Sequence, residues 1–592
     1  MIRIRKKSSK FGLALSGGGF RASFFHIGVL ARMADLGLLR HIEVISTVSG
    51  GSIIGALYYL HVKKLLEEKA DCDIKDEDYQ KIIKKIEGDF LHAIQKNLRL
   101  RTFLNPLKNL RMSLPNYSRS DYIGELYDKY LYQKILDPNN NSPIKMKCLR
   151  INPYGEKETF QPNEDNKNRK AKVPILLINA TVLNNGHNWR FSASGMGEAN
   201  ICKLNNKVDK NFKLQNVDLY ENIYKHGDFK LGLAVAASAC VPGIFAPLAI
   251  SDLYGEGVRV QLVDGGVYDN QGTDGLLDEE CTHFIISDAS KQMEDEKEPA
   301  VQINNVIKRS NSILADHIRE QQLSRILKEY PDNVVLLHLK KGIQSREISY
   351  YDIDHKLKNK TKNSKTELSP EAYGVNTGIQ VLLSRVRTDL DSFSDVEAFS
   401  LMCDGYKMME FELNKRNTKD FVTNTTLREK NYHFFKIEKQ MSSSPVDPRY
   451  KRVLEISSQR FFRAVRLNHL LKFVTMLMFV SICVILVSIF DSAFTDWAND
   501  YITKGNLLLI ILLIITLFVL RKKLYDSLNQ NPAMRFLLSA IPALLISITG
   551  FICIGIYLII FDRLFIYLGS LETLDKMQKK SKTNLLSDYL GK

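Results

Sequence analysis

His41-Ile42-Glu43-Val44-Ile45-Ser46-Thr47-Val48-Ser49-Gly50-Gly51-Ser52 decides how the chain is read. Ile42 to Val48 is rich in β-branched residues, which predicts a strand. Ser49-Gly50-Gly51 breaks that run, and Ile53 to Val62 continues as a helix. Strand, serine on a sharp turn, helix is the layout of a nucleophile elbow. Small neighbours let the backbone pack tightly there, and the hydroxyl points out at the helix N-terminus. The usual spacing is Gly-x-Ser-x-Gly; here Thr47 stands where the first glycine belongs. Ser46 and Ser52 are the rival serines. Ser46 falls on the strand, and Ser52 falls inside the helix, where its hydroxyl can bond its own backbone. Ser49 alone sits at the junction.

Upstream, the strand-like Phe11 to Leu15 runs into Ser16-Gly17-Gly18-Gly19-Phe20-Arg21-Ala22. Glycines in a strand-to-helix turn allow close approach and aim backbone N–H groups at one point, which suits an anion or an oxyanion. A dinucleotide fingerprint is not formed, because Gly-Gly-Gly-Phe-Arg-Ala does not match G-x-G-x-x-G. Downstream, Val260 to Val263 reads as a strand, followed by Asp264-Gly265-Gly266. A carboxylate there can accept the serine proton if the fold brings the segments together. Taken alone, Asp-Gly-Gly reads equally well as a turn. His26 reads as a packed residue, and His187, in the Asn-Asn-Gly-His-Asn-Trp turn, is given no catalytic role.

Taken together, the three motifs resemble the patatin-like phospholipases, serine acyl hydrolases that use a Ser–Asp dyad without histidine. Gly17, Gly18 and Gly19, followed by Arg21, match the family's oxyanion loop, and the resemblance leaves Arg21 either to bind a lipid phosphate or to support the loop. Ser49 matches its nucleophile and Asp264 its acid. Leu177 to Thr181 and Ala234 to Pro247 are similar as well, so the resemblance covers about residues 11–60 and 174–290. It implies a three-layer α/β/α sandwich around a mostly parallel sheet, with residues 61–170 as a helical insertion or cap. It implies that Asp264 takes the proton from Ser49, that Ser49 attacks an ester carbonyl, and that water hydrolyses the acyl-enzyme. Each oxyanion donor in such a site is worth about 3–4 kcal/mol in the transition state. No metal or other cofactor is called for.

The rest of the chain points to a membrane. It has 592 residues, with 82 basic against 66 acidic and a formal charge of +16. That charge suits an anionic surface. No zinc spacing or aromatic–basic motif supports a nucleic-acid partner. None of the eight cysteines forms a CxxC pair, so most read as buried small hydrophobes. Residues 1–290 read as the hydrolase domain and residues 291–465 as a mostly helical extension that completes or regulates the catalytic domain, suited to a sensor or dimerisation unit. Within that extension Asn305 to Tyr330 has helical apolar spacing, Asn333 to Leu339 is strand-like, and Ser345 to Ser369 is a lysine-rich exposed loop. A 470–569 membrane region precedes a polar 570–592 tail. Apolar runs occur at about 473–490, 507–520 and 536–561; the first and last are long enough to span a bilayer. Leu507 to Leu520 is short for a span but apolar on every face. Positive-inside logic puts the N-terminal body in the cytoplasm. Three spans put Lys576, Lys579 and Lys580 outside, against the same logic; a re-entrant or double pass in 536–569 is the alternative. Leu98 to Leu104, with Lys108 and Arg111, interleaves basic and apolar residues as an interfacial segment does.

The expectation is thus an integral protein of a bacterial inner membrane with a cytoplasmic site, acting on phospholipids of the bilayer that holds it. Homo-oligomerisation stays open. The alternatives are an acyltransferase of the same fold, or an inactive tethered scaffold, which the absent glycine at Thr47 favours.

Overall fold

The computed structural model describes residues 9–112, 116–199, 208–223, 225–255, 257–343, 348–358, 373–415, 431–467, 471–477, 481, 488, 548 and 550–576. The chain divides into two compact units. The first is 1–99, 118–460 and 569–592; the second is 100–117 and 461–568.

The first unit is built on one ten-stranded sheet. Its strands are β1 (Phe11–Leu15), β2 (Ile42–Val48), β3 (Ile175–Val182), β4 (Asn188–Phe191), β5 (Gly195–Glu198), β6 (Val217–Asp218), β7 (Leu248–Ile250), β8 (Val260–Asp264), β9 (His283–Asp288) and β10 (Val334–His338). The order runs β10-β9-β1-β2-β3-β4-β5-β6. From β10 to β3 every pairing is parallel. The strands beyond, with β7 and β8, are antiparallel. Parallel strands are covered on both faces and so read as continuous apolar runs; every residue of β9 is buried.

Register on β3 positions the site. β2 runs parallel along β3 and ends with Val48 opposite Asn179. β8 runs antiparallel and ends with Asp264 opposite Ala180. β4 occupies the other edge of the same β3 residues. β2 and β8 therefore finish head to head on one edge of β3.

Helices α1 (Gly19–Asp35), α2 (Gly50–Glu68) and α3 (Asp76–Ile94) follow the first strands. Of the 17 residues of α1, only Arg32 escapes burial, because the helix Asp395–Lys415 packs over it. Glycines make that crossing close. A Cβ on Gly28 would meet Met402 O at 1.8 Å, and one on Gly405 would meet Phe25 O at 2.2 Å. The region after residue 290 thus supplies β10 and the helix that covers α1 to the first unit.

The helix expected over Asn305 to Tyr330 is present as Ile303–Glu329, and the following strand is β10. The described part of the lysine-rich loop is exposed and carries a short ladder, Tyr350–Tyr351 against Leu357–Lys358. Arg387 and Asp391 form an ion pair at 2.8 Å, buried, and Glu397 joins them at 2.5 Å. Cys240, Cys281 and Cys403 are buried, whereas Cys72, Cys148 and Cys553 are exposed.

In the second unit, Asn105 caps the helix Pro106–Arg111 by accepting from Lys108 N, and Lys108 and Arg111 lie over the Tyr117 ring. The apolar helix Gly550–Leu568 is 19 residues long, enough to cross a membrane by length and composition. It extends beyond the Phe561 end expected for the last run. Arg463 and Asp562 are buried together at 3.6 Å, with Arg463 over the Phe565 ring. The 507–520 run lies outside the described residues, as do most of 473–490 and the first half of 536–561. After Leu568 the chain is again part of the first unit: Val396 N–H donates to Gly569 O at 3.1 Å, and Leu574 is buried.

Candidate active site

Ser49 closes β2 and caps α2 with φ 50° and ψ −117°. A positive φ at a serine stores on the order of 1–3 kcal/mol and persists only where the surroundings enforce it. Several contacts enforce it here. Ser49 N–H donates to Ser238 Oγ at 2.9 Å. Ser238 Oγ lies 2.8 Å from Ser52 Oγ, Ser52 donates to Thr47 Oγ1 at 3.0 Å, and Thr47 donates to Leu177 O at 2.9 Å. Four side-chain and backbone groups in line thus hold the turn. The glycines behind Ser49 are required by space. A Cβ on Gly50 would stand 2.0 Å from Gly19 O, and one on Gly51 would stand 2.1 Å from Leu15 O.

Thr47 in place of glycine is accommodated one helical stretch away. A Cβ on Gly55 would stand 2.5 Å from Thr47 Cγ2, so the bare Gly55 backbone makes room for the threonine methyl. The rival serines are fully buried and committed. Ser46 Oγ accepts from Asn179 Nδ2 at 3.0 Å, and Ser52 belongs to the chain just described.

The glycine loop lies against the elbow. A Cβ on Gly17 would be 3.3 Å from Ser49 Cβ. Gly18 and Gly19 take φ 139° and 60°, and side chains there would strike Ala289 O and Asp389 O at 2.8 and 2.6 Å. Gly17 N–H is spent on Asn270 O at 3.0 Å. The N–H groups of Gly18, Gly19 and Gly50 have no acceptor among the described residues. They cluster where α1 and α2 begin, so both helix dipoles add positive potential there.

Asp264 ends β8 beside this cluster. Its carboxylate accepts from Gly266 N–H at 2.7 Å and has the Ser49 side chain as a hydrogen-bonding neighbour. Burial pushes its pKa up to about 6, against the pull of those two hydrogen bonds. Gly265 has no room for a side chain, since a Cβ would lie 2.4 Å from Asn179 O. Asn270 Oδ1 fills the space left bare by Gly17 and Gly266 alike.

The profile of the patatin-like phospholipase family matches residues 13–277, which include the glycine loop, Ser49 and Asp264. The chain carries a patatin-like phospholipase domain.

Three similarities to known proteins accompany the family match, each covering part of a chain or at low identity. A stretch of 69 residues is 38% identical to the Saccharomyces cerevisiae protein SPO1, named as a candidate meiotic phospholipase. That stretch is 11% of this chain and 11% of the yeast protein. Human GIVD cytosolic phospholipase A2, in complex with methyl gamma-linolenyl fluorophosphonate and terbium chloride, aligns over 69% of this chain and 58% of its own, at 13% identity and TM-score 0.36. VipD from Legionella pneumophila aligns over 78% of this chain and 84% of its own, at 13% identity and TM-score 0.25.

Within the patatin-like domain, Arg21 is a structural residue, which corrects the phosphate-binding alternative. It is fully buried, and its guanidinium donates to Ser384 O, Val386 O and Ala289 O at 3.0, 2.9 and 2.8 Å. Desolvation lowers its pKa to about 10, with Asp288 opposing. His26 is buried between Ser287 Oγ and Ser16 O, and desolvation lowers its pKa to about 4, so it is neutral. His187 lies between Glu198 and Asp209 at 3.0 and 2.5 Å, away from the dyad's partners. The interfacial segment is also not free as read: Arg99 is buried and pairs with Asp389 at 2.9 Å.

Sequence reasoning missed Ser238, Gly55, Asn179 and Asn270. Ser238 lies in the Ala234 to Pro247 stretch, and its run of small residues before a proline was the available signal.

Proposed function

We propose that this protein is a membrane-associated serine lipid acyl hydrolase that cleaves glycerophospholipid esters through Ser49 and Asp264. The observation that carries the reading is the Asp264 carboxylate beside the Ser49 side chain, at a turn held in a strained conformation. A carboxylate with pKa near 6 is ionised at neutral pH yet basic enough to take a proton in the transition state. Ser49 Oγ forms a bond to the ester carbonyl carbon as its proton passes to Asp264. The oxyanion falls among the Gly18, Gly19 and Gly50 amides, which supports their role over that of Gly17. Collapse breaks the ester bond, and Asp264 returns the proton to the departing alcohol of the lysolipid. Water, deprotonated by the same carboxylate, then attacks the acyl-enzyme. Fatty acid leaves, and Ser49 recovers its proton.

The scaffold alternative loses its support, because Gly55 accommodates Thr47. An acyltransferase uses the same groups and differs only in the acceptor. The test is fatty acid release from mixed phospholipid vesicles by the purified protein, beside Ser49→Ala and Asp264→Ala. Parent activity with both variants silent and folded supports the hydrolase. Acyl transfer to added lysolipid, without free fatty acid, supports the transferase.

For the anchor, the reading is an even number of membrane crossings. The first unit contains both Arg460 and Gly569, the two ends of the apolar region. A compact body lies on one side of a bilayer, so the chain that leaves it must return to it. This favours the re-entrant or double-pass alternative over three spans and puts Lys576 on the side of the catalytic unit, as positive-inside logic favours. The Gly550–Leu568 helix, about 28 Å at 1.5 Å per residue, suits the last crossing.

A further inference from the structure

The helix Ile303–Glu329 has two apolar faces, and the fold uses only one. Its C-terminal half packs on the core through Leu323, Ile326 and Tyr330. Its N-terminal half presents Ile303, Val306, Ile307, Ile313, Leu314 and Ile318 on the opposite side, with exposures of 77, 46, 53, 50, 60 and 38%. At 3.6 residues per turn these six fall within an arc of about 140° that holds no charge. The charged residues of this half lie off the arc; Lys308 is exposed, whereas Arg309 and Asp316 are engaged by the chain itself. Arg309 pairs with Glu296 at 2.7 Å, and Asp316 accepts from Met293 N at 3.0 Å.

We propose that this face docks a second copy of the chain, antiparallel, about a two-fold axis beside Ser310 and Asn311. The spacing supports it. Ile303 and Ile318 are equidistant from the Ser310–Asn311 peptide, and so are Ile307 and Leu314. An isologous contact needs that symmetry, because residue i meets j while j meets i. Ile303 then meets the other copy's Ile318, and Ile307 meets its Leu314. The small Ser310 at the crossing lets the helix axes approach to about 8 Å. The positions 303, 307, 310, 314 and 317 alternate steps of four and three, the seam of helices that pack lengthwise.

A lipid surface fits the face less well. A helix lying on anionic lipid carries Lys and Arg along its polar side, free to reach head groups. Here Arg309 is held by Glu296 and Arg319 is buried, which leaves Lys308 as the exposed cation of this half, while Asn304 and Asn311 border the arc on one side and Glu320 on the other. The six side chains offer on the order of 600 Å² per copy. A pair buries on the order of 1,200 Å², the lower limit of a stable interface, so the dimer should be reversible.

The experiment uses the full-length protein in detergent. Ser310→Cys should form a disulfide-linked dimer under mild oxidation, whereas Ser312→Cys, on the opposite side of the same turn, should stay at the background set by the native cysteines. Ile307→Asp with Leu314→Asp should weaken dimerisation at least 100-fold in sedimentation velocity, with unchanged circular dichroism. A monomeric parent at tens of micromolar, equal cross-linking at both cysteine positions, or a dimer that survives the double substitution would overturn the proposal. So would a monomer whose double variant loses binding to anionic vesicles, which would assign the face to lipid. If the double variant misfolds, the two cysteine variants still decide.

Discussion

Ser49 and Asp264 meet because Val48 and Asp264 pair with consecutive residues of β3, Asn179 and Ala180. One strand arrives parallel and the other antiparallel, and both stop on the same edge. The nucleophile and the acid are 215 residues apart in sequence and share one strand as their ruler. Asn179 reinforces the junction, donating to Ser46 Oγ and Thr47 O, both at 3.0 Å.

Asp264 predicts opposite pH trends for activity and stability. Its pKa is raised from 3.8 to about 6, so the ionised base accumulates above pH 6. kcat/KM should fall about tenfold per pH unit below 6 and level off above it. The folded state holds this proton more tightly than the unfolded chain. Its stabilising contribution is complete below pH 3.8 and is lost as pH rises through 6, by about 3 kcal/mol at most. Asp264→Asn should therefore be inactive yet more stable than the parent at pH 8 by urea unfolding, with the difference shrinking towards pH 4.

Thr47 and Gly55 should be coupled. Gly55→Ala places a methyl 2.5 Å from Thr47 Cγ2 and should destabilise by about 1–3 kcal/mol. Thr47→Ser removes that methyl and keeps the hydroxyl that serves Leu177 O and Ser52. The double variant should recover most of the loss in thermal unfolding, a non-additivity that two independent sites do not give.

Arg21 should matter alike for every substrate. Arg21→Lys leaves at least one buried carbonyl without its donor, at about 1–3 kcal/mol. Any loss of kcat/KM should be equal on a phospholipid and on a phosphate-free fatty ester. A selective loss on the phospholipid would return Arg21 to substrate binding.

Reporters fused before Met1 and after Lys592 should face the same side of the membrane, and the protein should resist alkaline carbonate extraction. Extraction into the wash would contradict the anchor itself. Opposite sides with the anchor intact would contradict the even crossing alone.

What was legible in the sequence was local. Strand, turn and helix around Ser49, the glycine turn after Leu15 and Asp264-Gly265-Gly266 each declare themselves within about a dozen residues. Their supports did not, because their partners lie far along the chain. Ser238 holds Ser49 N–H from 189 residues away. The helix Asp395–Lys415 read as part of an extension, since nothing in it announces that Gly405 meets Phe25 O. Thr47 read as a defect because the usual pattern assigns the bare backbone to that position. Here the bare backbone is at Gly55, on the facing helix. Gly17 read as an oxyanion donor because sequence gives the glycines but not Asn270, whose carbonyl takes that N–H.

The most direct test is covalent labelling of the full-length protein with a long-chain alkyl fluorophosphonate, read by peptide mass spectrometry beside fatty acid release. The account predicts one adduct, on Ser49, with loss of activity in step with labelling. Ser49→Ala should show neither, and Asp264→Asn should label far more slowly. An adduct on Ser46, Ser52 or any other residue, or hydrolysis that persists in Ser49→Ala, would contradict it.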